Sequence, residues 1–186
     1  MRKLYFIIYI KNVVPVFDPG NLALLLMLWA VLGIPLSFLA VVLFFAVRQI
    51  PSRLAQVLVP LIAGIIFVVV SIAMEPPVPG NSEALRFLIG IFIHPLLFLP
   101  PAVVLQKNLH RIPVMYAVFF ASFISMGVLL TLGAMQGNQL SVALNSVQFT
   151  EKAMVSVIRD LIIASGAFGL IILLDIMVTG TEEELP

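Results

Sequence analysis

A chain of 186 residues that is 62% hydrophobic and only 10% charged carries more apolar surface than a water-soluble fold of its size can hide, because soluble domains are nearer half apolar and a quarter charged. Its formal net charge is +1 and its ten basic residues are scattered towards predicted helix ends, which excludes nucleic-acid binding through a gathered basic face. It has no cysteine, which excludes disulfides, cysteine-ligated zinc, iron–sulfur clusters and thiol nucleophiles.

The composition predicts an all-α integral membrane protein. A single transmembrane domain covers residues 1–186, with a bundle of about five transmembrane helices, an interfacial N-terminal segment over 1–20 and an acidic C-terminal tail over 180–186. Met1-Arg2-Lys3 and the apolar run after it look like the start of a signal peptide, but Lys11 interrupts the run and no small-x-small cleavage site follows before Asp18, so the segment is read as retained. Leu4–Phe17 either lies in the membrane interface or crosses as a short sixth helix. Fourteen residues reach only about 21 Å of a hydrocarbon core roughly 30 Å thick, which favours the interface.

Five segments offer the roughly 20 apolar residues a spanning helix needs: Asn21–Val47, Leu54–Met74, Phe87–Gln106, Val114–Gln136 and Val157–Thr179. They are continuously apolar, without the period-2 alternation of a β-barrel strand. The first is long and holds Gly33 and Pro35, so it reads as one kinked helix or as a re-entrant hairpin. An internal comparison favours one helix. Ile34–Leu43 matches His94–Leu105 if Pro100 and Pro101 are an insertion, and the match runs on to set Arg48–Pro51 on His110–Pro113 and Ala55 on Ala117. This predicts a parallel duplication, helices 1–2 and helices 3–4, related by a pseudo-twofold axis along the membrane normal. Such repeats occur in transporters and in inert scaffolds alike.

The turns at 48–53 and 107–113 share an Ile-Pro pair, and proline suits the first turn of a helix because its missing N–H has no partner there. Both turns are basic, with Arg48 and Arg53 in one and Lys107 and Arg111 in the other, whereas Glu75–Glu83 between them is acidic and proline-rich. The positive-inside rule places both turns on the cytoplasmic side of a multi-pass protein of a bacterial inner membrane or an organelle membrane. The hydrophilic stretch Gly137–Lys152 is expected at the opposite surface as an amphipathic element or a docking site for a partner.

Polar residues inside the predicted spans are functional candidates because they are costly in lipid. His94 lies near the middle of helix 3. Three roles fit it: a hydrogen bond to a backbone carbonyl freed by Pro95, Pro100 or Pro101, ligation of a haem iron or chlorophyll magnesium, and proton relay. His110 is sixteen residues further on, about 24 Å along a helix, and cannot share an iron with it in one chain. Asp160 and Asp175 bracket an uncharged run about 22 Å long, too short for both to reach water across an unthinned bilayer. They read either as an ion or proton site or as structural groups, with Arg48 or Arg53 as an ion-pair partner for Asp175. Ala164–Ile171 has a superficial likeness to the nucleophile region of rhomboid proteases that fails, because Ile163 stands where the motif has glycine and no histidine follows Ser165 in this sequence.

Small residues mark helix packing, because they let backbones approach closely in lipid. In helix 4, Ala117, Ala121, Ser125, Gly133 and Gly137 fall on a four-residue spacing in which Leu129 is the one large member, and Ser165 and Gly169 form a matching notch in helix 5. The expected use is helix 4 against helix 5, or against another subunit. No P-loop, HExxH motif or paired-Glu site occurs. The leading expectation is a non-catalytic accessory subunit of a larger membrane complex, not an enzyme, with the lipid bilayer and other membrane subunits or a second copy as partners. The alternatives are a small transporter or channel, and a cofactor-binding subunit that uses His94.

Overall fold

The computed structural model describes residues 19–73, 81–136 and 151–180. Outside them lie residues 1–18 of the N-terminal segment, most of the acidic loop, Gly137 with most of the hydrophilic stretch, and the tail beyond 180.

Every described element is helical: α1 (Pro19–Arg48), α2 (Arg53–Ala73), α3 (Asn81–Leu105), α4 (Val114–Gln136) and α5 (Glu151–Gly180), with a 3-10 turn over Gln106–Asn108 between α3 and α4. In α1, α2, α4 and α5, the stretches Leu22–Arg48, Arg53–Val70, Val114–Leu132 and Val157–Val178 are long and apolar enough to cross a membrane. Backbone amides find no water inside hydrocarbon, so such segments must satisfy their own hydrogen bonds as helices. The first segment is one continuous helix of 30 residues, with Pro35 inside it, and not a re-entrant hairpin.

The two Ile-Pro turns are built differently. The Ser52 carbonyl accepts the first α2 bond from Gln56 N–H (2.9 Å), and the Ser52 hydroxyl takes the Ala55 N–H at 3.4 Å, which makes Ser52 the N-cap. Pro51 therefore precedes the cap. In the second turn the Pro113 carbonyl itself takes the first bonds of α4, from Tyr116 and Ala117 (2.9 and 3.1 Å). Both prolines thus stand just ahead of their helices, not within the first turn. The Gln56 side-chain amide closes the first turn by donating to the Ile50 carbonyl at 2.7 Å and the Arg48 carbonyl at 3.4 Å, which lie beyond and at the end of α1.

The two helices of each predicted hairpin are not the ones that pack. α1 rests on α4 and α3, α2 rests on α3, and α5 lies against α3 and α4, while α1–α2 and α3–α4 barely touch. The predicted hairpins are thus opened, each helix pairing across the bundle. The central cluster includes Ala40, Phe44, Leu99, Ala102, Val118, Ala121 and Phe168, and a second cluster on the α1–α4 seam holds Leu25, Leu36, Met126 and Leu130. Because lipid tails are as apolar as leucine, shape and not burial from water holds these seams. At Gly64 of α2, an added Cβ would lie 2.7 Å from Leu97 Cδ2 on α3. One turn earlier, Pro60 is fully buried.

Candidate functional site

Five polar side chains are buried among the described residues: Ser37, His94, Ser122, Ser125 and Asp175. Asp175 forms an anion cradle at the turn end of the bundle, His94, Ser122 and Ser125 form a small cluster between α3 and α4, and Ser37 stands on α1.

The cradle starts from the backbone. Leu109 leaves the 3-10 turn in an extended conformation (φ −84°, ψ 136°), and a residue before proline, here Ile112, avoids helical geometry. The N–H groups that follow therefore have no helical acceptor. Asp175 of α5 supplies one. Its Oδ2 accepts from His110 N–H at 2.5 Å, and its Oδ1 accepts from Arg111 and Ile112 N–H at 3.1 and 2.7 Å. The side chain is wholly inaccessible. A carboxylate accepting several charge-assisted bonds is the strong form of such a contact. Asp175 therefore locks α5 to the α3–α4 turn. The expected ion pair with Arg48 or Arg53 is not what the structure forms: backbone donors take the carboxylate instead. At the other end of α5, the Asp160 carboxylate is met by its neighbour Arg159, with Nε and a terminal nitrogen both 3.0 Å from Oδ1. Asp160 and Asp175 thus stand at opposite ends of the span and do not converge on one ion.

In the second cluster, His94 Nε2 lies 3.3 Å from the Ser122 carbonyl and 3.3 Å from the Ser125 hydroxyl, and Ser125 in turn donates to the Ser122 carbonyl at 2.9 Å. A carbonyl only accepts, so Nε2 carries a hydrogen. The acceptor belongs to α4 and is not one of the carbonyls freed by the prolines of α3. A metal bound to Nε2 would have to displace both contacts, which leaves Nδ1 as the nitrogen for any haem or chlorophyll. No group of three or more metal-ligating side chains occurs among the described residues.

The hydroxyls of Ser37 and Ser122 are buried without a hydrogen-bond partner. An unmet buried hydroxyl costs stability. Ser37→Ala is expected to raise the unfolding free energy by about 0.5–1 kcal/mol, measured by thermal denaturation in detergent. An equal loss would show that the hydroxyl has a partner.

Comparison with protein-family models, curated proteins and solved structures finds no match. The chain's own geometry is therefore the basis for a functional reading.

The small residues occupy two contrasting places. Ala117, Ala121 and Ser125 of α4 are fully buried, facing the bundle interior where Ser125 meets His94. Gly133 lies within α4. Ser165 and Gly166 of α5 are exposed, and an added Cβ at Gly166 or Gly169 would meet nothing within 4 Å. α5 does lie against α4, while at Gly166 and Gly169 no described residue covers the notch. The Ser165 hydroxyl is already satisfied by the Leu161 carbonyl at 2.7 Å.

Proposed function

We propose that this chain is a non-catalytic subunit of a larger membrane assembly, docked through the outward notch of α5. α3 serves as a fifth span, and the turns at 48–53 and 107–113 lie on the cytoplasmic side. The observation that carries the reading is the open backbone surface at Ser165, Gly166 and Gly169. Small residues in lipid are useful where another helix approaches closely. Among the described residues no helix does so, and the hydroxyl in the notch needs no partner. A second membrane helix, from another subunit or a second copy, fits that surface.

The test is a substitution that spares the monomer. Because nothing lies within 4 Å, Gly169→Leu is expected to leave folding intact while blocking close approach. Native extraction with mild detergent should give an assembly well above 20.3 kDa for the wild type and a monomer for the variant. An assembly of unchanged mass in Gly169→Leu would remove the basis of the reading.

The duplication belongs to the same proposal. Exchanging α1 with α3 and α2 with α4 maps the α1–α4 contact onto the α3–α2 contact and returns the α1–α3 contact to itself. The matched pairs Ala40/Ala102 and Val41/Val103 are all buried in the central cluster. α5 breaks the symmetry: it brings Phe168 to Phe98, ring centroids 6.4 Å apart, whereas the matched Phe38 stays 60% exposed. The alternative of a small transporter or channel draws on this repeat and on the unpartnered serines. A solute-dependent thermal shift of the purified chain, lost in Ser122→Ala, would displace the subunit reading.

A further inference from the structure

The turn between α1 and α2 and the end of α3 leave a cleft of about 560 Å³ between them. Its polar lining is Arg48, Arg53, Lys107, Gln56 and Gln106, and no carboxylate is among its described lining residues. That volume lies within the usual range for a small-molecule site. Arg48, Arg53 and Lys107 are exposed, and none of them forms a salt bridge among the described residues. Arg48 is steered from behind, its guanidinium 5.9 Å from the Phe44 ring centroid. The amide nitrogens of Gln56 and Gln106 are spent on the backbone, Gln56 on Ile50 O at 2.7 Å and Gln106 on Val103 O at 3.0 Å. Their carbonyl oxygens remain as acceptors for hydroxyl groups. Asp175 of α5 is not among the lining residues, and its carboxylate is taken up by the N–H groups of residues 110–112.

Three cations that line one cleft with no counterion among the described residues call for an anion of more than one charge or several oxygens, and arginine forks suit phosphate oxygens best. The cleft also opens onto apolar surface, since Val104 in its wall is 49% exposed and Leu54 beside Arg53 is 68% exposed. A soluble anion has no use for that surface, whereas a lipid carries acyl chains to cover it. Basic pockets between helices at one membrane face are the known form of headgroup sites.

We propose that this cleft binds the phosphate-bearing headgroup of an anionic phospholipid, with Arg48, Arg53 and Lys107 on the phosphate and the Gln56 and Gln106 carbonyls accepting from headgroup hydroxyls. The proposal rests on the chain crossing the bilayer and is independent of the notch on α5.

The experiment is native mass spectrometry of the full chain in detergent, with phosphatidylglycerol and phosphatidylcholine supplied in equal amounts. The wild type is expected to retain phosphatidylglycerol over phosphatidylcholine by roughly tenfold, and Arg53→Gln/Lys107→Gln to reduce that preference below about twofold. Both side chains are exposed, so circular dichroism and melting temperature should not change. The exchange Arg53→Lys/Lys107→Arg, which keeps both charges, is expected to restore most of the preference. Inorganic phosphate should not displace the lipid. Equal retention of the two lipids by the wild type, or an undiminished preference in the double glutamine variant, overturns the proposal. Displacement by inorganic phosphate alone overturns the lipid as the source and leaves a soluble-anion site.

Discussion

Asp175→Asn is expected to cost about 3 kcal/mol of unfolding free energy and to free the α3–α4 turn, because it converts one of two working acceptors into a donor. The aspartate uses both oxygens: Oδ2 takes the His110 N–H, and Oδ1 takes those of Arg111 and Ile112. An asparagine in either flip puts an NH2 group against at least one of these N–H donors. The contact is part-buried and the side chain at 175 is itself inaccessible, so water replaces the lost acceptor poorly. Asp175→Ala should cost more than Asp175→Asn, because all three part-buried donors lose their anion. Asp175→Glu keeps the charge and misplaces it by one methylene, so it should fall between wild type and asparagine. The measurement is unfolding of the purified chain in mixed micelles, followed by circular dichroism. Amide exchange at residues 110–112 should rise in step, as it does wherever local opening becomes cheap. An asparagine variant as stable as wild type, with protected amides, would show that the cradle is not what fixes α5.

That cradle also shows how far the sequence is legible. An aspartate inside an apolar run announces that it needs a partner, and charge complementarity points to the arginines of the neighbouring turns. The partner is backbone, and backbone donors have no residue type to search for. A readable signal lies in the turn: Ile112 precedes Pro113, which disfavours helical geometry there and leaves N–H groups for another acceptor. Helix positions were more legible than contacts. The apolar run Val114–Gln136 is α4 to the residue, because lipid demands helix wherever the run is long enough. By contrast α3 starts at Asn81 and α5 at Glu151, several residues before their apolar runs. Hydropathy reports the part of a helix that meets hydrocarbon, while the hydrogen-bonded helix extends into the polar interface. Spacing reports which residues share a face and not which neighbour covers it. Ala117, Ala121 and Ser125 are interior, whereas Gly169, one turn on from Ser165 in the same pattern, faces outward. The basic turns were visible as charge, but the cleft they form with the end of α3 arises only when α2 packs against α3.

Gly127→Ala is expected to destabilise the bundle by about 2 kcal/mol although alanine is the better helix former by about 1 kcal/mol, because the added methyl must displace Trp29. A Cβ at Gly127 would lie 2.5 Å from Trp29 Cε2 and 2.7 Å from Cζ2. The indole is pinned. Its Nε1 donates to the Phe123 carbonyl at 2.7 Å, and its ring stacks on Phe123 with centroids 4.7 Å apart. Retreat towards α1 is blocked too, since the space at Gly33 is bounded by the same two rings at 2.9 to 3.0 Å. The clash must therefore open the α1–α4 seam or break the indole's hydrogen bond. The chain has a single tryptophan, so its emission reports this seam directly and should shift in the variant. Trp29→Leu alone should also destabilise, but Gly127→Ala/Trp29→Leu should lose less than the two single variants together, with a coupling of at least about 1 kcal/mol. Strict additivity would place the methyl somewhere other than against the indole. Gly166→Ala is the control: it makes the same chemical change in a spanning helix with nothing within 4 Å. Only the propensity gain operates there, so that variant should be more stable by about 1 kcal/mol. Two identical substitutions with opposite signs would separate the seam that closes the bundle from the surface it leaves open.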